Sequence, residues 1–356
     1  MSEKLNVPLA KPAPDCDRFI RAVTTDYEPE RPPLIEYILD RAVLEPILAM
    51  LDRPWVSPGG DRDQQRAYWD NFIAFWHHMG YDFVRLEIAL AFPRPHREGG
   101  VRGRSYAETA VGPIANFQQF EEYPWPEPDH ADLFCYEHVT GHLPEGMGLI
   151  ANHAGGPLET LTYLMGYETL CISLFDQPEL VAAVAQRVGS LMEAFYRRIL
   201  QLPRLIAVFP GDDMGFRSAT LISPDALRTY TLSWHRRFAE MAHTAGLPYF
   251  LHSCGNLMEI MDDLIDDVGI DAKHSFEDAI CPAGQAKRLW GSRIGILGGV
   301  DIDKLTRLSG PELRKYFRDV IDQCAPGGRF AIGSGNSIPD YIPPANYLTM
   351  IDEALR

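Results

Sequence analysis

Eight short, nearly continuous apolar runs recur along this chain, at 33–38, 81–88, 147–152, 205–210, 248–252, 270–273, 294–297 and 330–332. The segments between them are long enough for helices. Apolar runs of this length suit strands buried on both faces, and strands that alternate with helices imply βα units around a parallel sheet. Eight such units in 356 residues predict an α/β fold of the (β/α)8 barrel type, one domain over 33–356. A doubly wound open sheet is the alternative. No G-x-G-x-x-G follows the first run and no G-x-x-x-x-G-K-[ST] occurs, so the nucleotide-binding forms of the open sheet lose support.

Residues 1–32 carry Pro8, Pro12, Pro14, Pro29 and Pro32 and read as an irregular N-terminal arm. Helix signals are clear elsewhere. Ser223-Pro224 reads as an N-cap followed by an N1 proline. Leu227, Tyr230, Trp234, Phe238 and Met241 then form one apolar stripe, and Gly246 ends it. Similar helices are expected over 178–202 and 257–268.

Composition excludes several function classes. The formal net charge is −16, the wrong sign for binding phosphate backbones or anionic membrane surfaces. No run of about 18 apolar residues is present, and the N-terminus lacks the basic-then-apolar pattern of a secretory signal. A cytoplasmic protein is expected. Cysteines 16, 135, 171, 254, 281 and 324 form no C-x-x-C pair. Reduced thiols are therefore expected, rather than a zinc ribbon or a disulfide framework.

In a barrel, polar residues that follow strand C-termini face the active site. The fifth run ends in His252-Ser253-Cys254-Gly255-Asn256. His252 and Cys254 are two apart, so an extended chain projects both to one side. An imidazole beside a thiol is half of a zinc site or a buried histidine beside an inert core cysteine, and the bare spacing alone favours the second. The fourth run ends in Asp212 and Asp213, which read as acid–base or substrate-binding groups, or as helix caps. The sixth leads into Asp271, Lys273, His274, Glu277 and Asp278. The eighth ends in Gly333-Ser334-Gly335-Asn336-Ser337, whose glycines permit close backbone approach. Arg94, His96, Arg97, Arg102 and Arg104 cluster after the second run. They offer Arg97 and Arg104 as anion-binding groups, or form a solvated loop. His77 and His78, among Trp69, Phe72 and Phe75, read as helix residues rather than ligands.

Several dispersed segments carry a family resemblance. Gly155-Gly156-Pro157 through Tyr163-Leu164-Met165-Gly166, Leu221-Ile222-Ser223-Pro224, His252-x-Cys254-Gly255-Asn256 and Asn336-Ser337-Ile338-Pro339 through Asn346 resemble, in order, the uroporphyrinogen decarboxylase superfamily. The resemblance spans about 33–355 and implies a TIM barrel. The arginines that decarboxylases carry on the first strand are absent from Arg31-Pro32-Pro33-Leu34-Ile35-Glu36-Tyr37-Ile38, and Asn336 stands where a histidine is expected. His-x-Cys-Gly resembles the methyltransferase branch. That branch moves a methyl group between a corrinoid protein and a thiol or pterin, and its thiol-using members hold zinc through His, Cys and a second Cys. The resemblance therefore implies a methyltransferase with a corrinoid protein as partner, His252 and Cys254 as metal ligands, and a small-molecule substrate. The second cysteine aligns with Asn336, and Cys281 is out of register. Asp213 or Glu277 would then complete the metal set, or the metal is lost in favour of a pterin acceptor. Decarboxylation of a porphyrinogen or another carboxylated substrate, or ligand binding without turnover, are the alternatives. Glu36, Asp213, His252, Cys254, Glu277 and Asn336 are expected to line one cavity at the C-terminal face.

Overall fold

The computed structural model describes residues 5–93 and 112–356. Among the described residues seven strands form, in chain order β1 (Phe83–Ala89), β2 (Gly148–Ala154), β3 (Leu205–Val208), β4 (Phe250–His252), β5 (Ala272–His274), β6 (Gly295–Leu297) and β7 (Phe330–Ala331). All ladders are parallel, in the order β1-β2-β3 and β4-β5-β6-β7. Single parallel bridges join the two sets. Val208 pairs with Tyr249 and Gly211 with His252, which links β3 to β4, while Leu34 pairs with Ile332 beyond β7. The stave around Leu34 thus stands as the eighth position of a TIM barrel. Between that stave and β1 the link is a side chain, with Arg85 Nη1 donating to the Tyr37 carbonyl at 2.8 Å.

The strands fall where the apolar runs predict, with one difference. Run 33–38 forms only isolated bridges, at Leu34 and, just beyond it, at Leu39 with Ile338. The helix expected from Ser223 runs over Pro224–Leu227 and Ser233–Thr244, joined by a π-helical turn at Arg228–Leu232. Ser223 Oγ accepts from the Ala226 amide, the capping role that its position implies. No helix among the described residues is long and apolar enough to cross a membrane.

The N-terminal arm is not irregular throughout. Between its two proline groups lies a helix, Cys16–Thr24, capped by Asp15, whose carboxylate accepts from the Arg18 amide. Phe19, Ala22 and Val23, spaced i, i+3 and i+4, are fully buried. The Phe19 ring lies 4.7 Å from Phe83 and 6.4 Å from Phe250, the first residues of β1 and β4. The helix therefore plugs the N-terminal end of the barrel, opposite the mouth. Phe19→Ala is expected to cost about 3–5 kcal/mol. Urea denaturation measures this, and an unchanged midpoint would show that the plug contributes nothing to stability.

Candidate active site

At the barrel mouth, β3 and β4 deliver the groups that the sequence singles out. The connecting loops touch through a pair of glycines. A Cβ on Gly215 would meet the Cys254 carbonyl oxygen at 2.6 Å, and one on Gly255, whose φ is +82°, would meet Gly215 backbone at 2.3 Å. Only glycine permits this approach. It brings Asp213 to Cys254, whose amide donates to Asp213 Oδ1 at 2.9 Å. His252 Nε2 lies 3.6 Å from the same carboxylate and 3.4 Å from Cys254 Sγ. The ligand atoms of Asp213, His252 and Cys254 all fall within 4.8 Å of one another.

The tautomer of His252 follows from its neighbours. His274 Nε2 lies 2.9 Å from the Ser334 carbonyl oxygen, which only accepts, so this nitrogen carries hydrogen. Neutral His274 then has a lone pair on Nδ1, 2.7 Å from His252 Nδ1. His252 must donate there, which leaves its Nε2 as a lone pair aimed at Asp213 and Cys254. Burial, helped by the neighbouring His274 and by Arg85 and Lys273, holds the His252 pKa well below 6.5. Burial likewise lowers His274 to about 3. Both rings are thus neutral at pH 7, and the relay Ser334–His274–His252 presents one fixed donor atom. Below it, the Tyr37 ring stacks on His252 at 4.0 Å and 6°. Arg85 covers the other face of Tyr37 at 3.6 Å and pairs with Glu87.

The Cys254 thiol is pushed well above its usual pKa by burial and by the Asp213 charge. Asn336 Nδ2 donates to Cys254 Sγ at 3.2 Å. The position that the resemblance assigned to a second cysteine is therefore in contact with the first. Asp213 is itself raised by burial. So is Glu159, with Asp213 and Asp212 adding to the effect.

The other expected residues sit apart from this cluster. Asp212 is fully buried and accepts from the Leu158 and Glu159 amides, at 3.0 and 2.9 Å, and from His235 Nε2 at 2.9 Å. It caps the helix Pro157–Met165, the structural role that its position also allowed. Glu36 is fully buried, and its two oxygens meet the amide and hydroxyl of Ser334 at 2.8 and 2.6 Å. Glu277, raised by burial, lines a small neighbouring cavity with Lys273, Ser275, Phe276, Cys281 and Trp290 and is outside the Asp213–His252–Cys254 cluster. Arg94, His96, Arg97, Arg102 and Arg104 lie outside the described residues. Sequence reasoning missed Tyr37 as a stacking partner and His274 as a relay. The signal for His274 was the register of β4 against β5, which pairs His252 with His274 directly.

At the C-terminal face of the (β/α)8 barrel an imidazole, a thiol and a carboxyl thus converge, three groups whose ligand atoms are close enough together to hold a metal ion. The family comparison gives its kin: residues 109–356 match uroporphyrinogen decarboxylase (URO-D), and the chain belongs to that family. Among solved structures it is similar to a methyltransferase from Methanosarcina mazei, at a TM-score of 0.68 and 15% identity, over 96% of this chain and 98% of that one. It is also similar to a putative vitamin-B12-independent methionine synthase from Listeria monocytogenes, at a TM-score of 0.50 and 12% identity, over 92% of this chain and 96% of that one. At these identities the likeness is one of fold. No curated protein matches the chain by sequence.

Proposed function

We propose that this protein is a zinc-dependent methyltransferase that moves a methyl group between a corrinoid carried by a partner protein and a small thiol. The observation that carries the reading is the Asp213–His252–Cys254 cluster, with its histidine lone pair fixed by His274. The donor set fits zinc: one neutral imidazole, one thiol and one carboxylate are three protein ligands, the number a catalytic zinc uses when it keeps a position open. The hydrogen bond from His252 to His274 is the outer support that orients a ligating imidazole. Zinc, when bound, holds a substrate thiol as its thiolate, the nucleophilic form, at neutral pH.

The chain's own residues do the rest. His274 fixes the His252 tautomer. Tyr37 fixes the ring plane. Asp213 supplies negative charge beside the thiol of Cys254, and Asn336 donates to that thiol's sulfur. A porphyrinogen decarboxylase has less support here, because the tyrosine-bearing first stave spends Glu36 on Ser334 and carries no arginine.

The test is methylcobalamin demethylation with a thiol acceptor, run on zinc-loaded and chelator-stripped protein. Zinc-dependent loss of methylcobalamin with formation of a thioether supports the reading. No turnover by zinc-loaded protein with any thiol would sink it. Asn336→Cys places a second thiol beside Cys254 and is expected to tighten zinc by about 10- to 100-fold, because thiolate is the softer donor. Competition against a chromogenic chelator measures this. An affinity equal to wild type would separate position 336 from the metal.

A further inference from the structure

The outer wall of the barrel carries a second cluster of ligating groups, made by the helices that precede β1 and β2. Asp70 lies on helix Arg62–His78, and His138 and His142 lie on helix Phe134–His142. The two histidines are four residues apart, so they share one helix face, and their rings stack at 4.1 Å and 21°. The ligand atoms of all three residues fall within 4.8 Å of one another.

We infer that Asp70, His138 and His142 form a binding site for a divalent transition-metal ion that staples these two helices together. Three features support it beyond proximity. His142 Nδ1 lies 2.7 Å from the His138 carbonyl oxygen, an acceptor only. Nδ1 therefore carries the ring hydrogen and Nε2 is a lone pair, with its tautomer fixed as ligating histidines require. His138 Nε2 already meets Asp70 Oδ1 at 2.8 Å, so two of the three donors are in register. Finally, the side chain of His138 is 6% exposed and that of Asp70 47%, so the site has a fixed wall and an open side.

The donors of a tetrahedral ion with bonds near 2.0–2.1 Å lie about 3.3 Å apart. The three donor atoms already lie within 4.8 Å of one another, and the exposed His142 leaves room for the small adjustment an ion needs. Arg66, one turn before Asp70, does not compete for it, because its guanidinium pairs with Asp63 at 2.6 Å. Imidazole and carboxylate donors suit zinc, and the coordination is completed by water. On binding, the ring hydrogen of a neutral His138 passes from Nε2 to Nδ1, which frees the Nε2 lone pair for the ion with no net release of a proton.

Cys254→Ser protein, stripped with chelator and titrated with Zn2+ alone, isolates this site from the barrel mouth. It is expected to retain one zinc per chain and to show a zinc-dependent rise in Tm. Adding His142→Ala removes an exposed ligand without opening the core. It should weaken that zinc by at least about 10-fold, more than the loss of an outer-shell partner costs at its mildest, and abolish the rise. Asp70→Asn, which keeps an acceptor for His138 but loses the charge, should also weaken it. Two results overturn the inference: Cys254→Ser protein that binds no zinc, or a Cys254→Ser/His142→Ala protein that keeps the same affinity and the same Tm rise. Neither depends on methyl transfer.

Discussion

Cys254→Ser and His252→Ala are each expected to lower thiol-dependent demethylation of methylcobalamin by at least about 100-fold. The bound is conservative, since losing only an outer-shell partner of a metal ligand costs about 10- to 100-fold. Each variant deletes one of three donors, and two protein donors do not hold a catalytic zinc. Neither should unfold the protein. Cys254 is half-buried in a loop, and without the 252 imidazole Tyr37 still packs against the Arg85 guanidinium and the Phe209 ring. Asp213→Asn is the discriminating third variant. Its side-chain oxygen still accepts from the Cys254 amide, so the loop geometry is kept while the charge is lost. If Asp213 is a ligand, zinc weakens in this variant as well. If it only positions the loop, zinc affinity stays at the wild-type value.

Zinc binding at the barrel mouth has a pH dependence of definite sign. His252 and Cys254 ligate only when deprotonated, so zinc affinity falls as pH falls. Burial and the Asp213 charge raise the free thiol. Zinc uptake therefore competes with a proton held more tightly than in an ordinary cysteine. Competition titrations between pH 6 and 9 check this, and affinity independent of pH would exclude a thiol from the ligand set.

Much of this was legible in the sequence because it depends on short-range pattern. Each apolar run from 81–88 to 330–332 contains or adjoins a strand, since a strand buried on both faces must be apolar whatever it pairs with. The spacing of His252 and Cys254 puts both at one strand end, and Asn336 stands in contact with Cys254. What the sequence could not reveal depends on register and on long-range packing. His274 matters because β5 pairs with β4 in one register, and a shift by one residue would aim it away from His252. Tyr37 matters because its stave lies between β7 and β1, far away in the chain. The helix Cys16–Thr24 was hidden by the prolines that flank it, although its three buried residues show helical spacing. Asp212 and Asp213 are adjacent and similar in sequence. They separate only because successive side chains point opposite ways, one to a helix N-terminus and one to the site.

Glu36→Gln is expected to change the pH dependence of stability by several kcal/mol. Burial raises the Glu36 carboxyl to about 8, against the lowering effect of its bonds to Ser334. The hydrogen-bond pattern agrees with a neutral acid. The Ser334 hydroxyl also meets the Asn336 carbonyl oxygen, so it can donate there while accepting from a protonated Glu36. In the unfolded chain Glu36 ionises near 4.5. Because the folded pKa is raised, the stabilisation is fully present below about 4.5 and is lost as pH rises through about 8. A tenfold difference in proton affinity between the folded and unfolded chains corresponds to about 1.4 kcal/mol. Wild type should therefore lose on the order of 3–5 kcal/mol relative to the glutamine variant across that window. The glutamine side chain keeps an oxygen to accept from the Ser334 amide and an N–H to replace the acid proton, so the comparison isolates the titration. Subtracting the two proteins also cancels the buried histidines, whose lowered pKa values act in the opposite direction as pH falls below 6.5. His153, held down to about 4 by burial, His274 and His252 are among these. Urea denaturation of both proteins at pH 5 and pH 8.5 gives the result. A difference between them that stays constant with pH would mean that Glu36 is ionised in the folded protein, and that Ser334 alone compensates a buried charge.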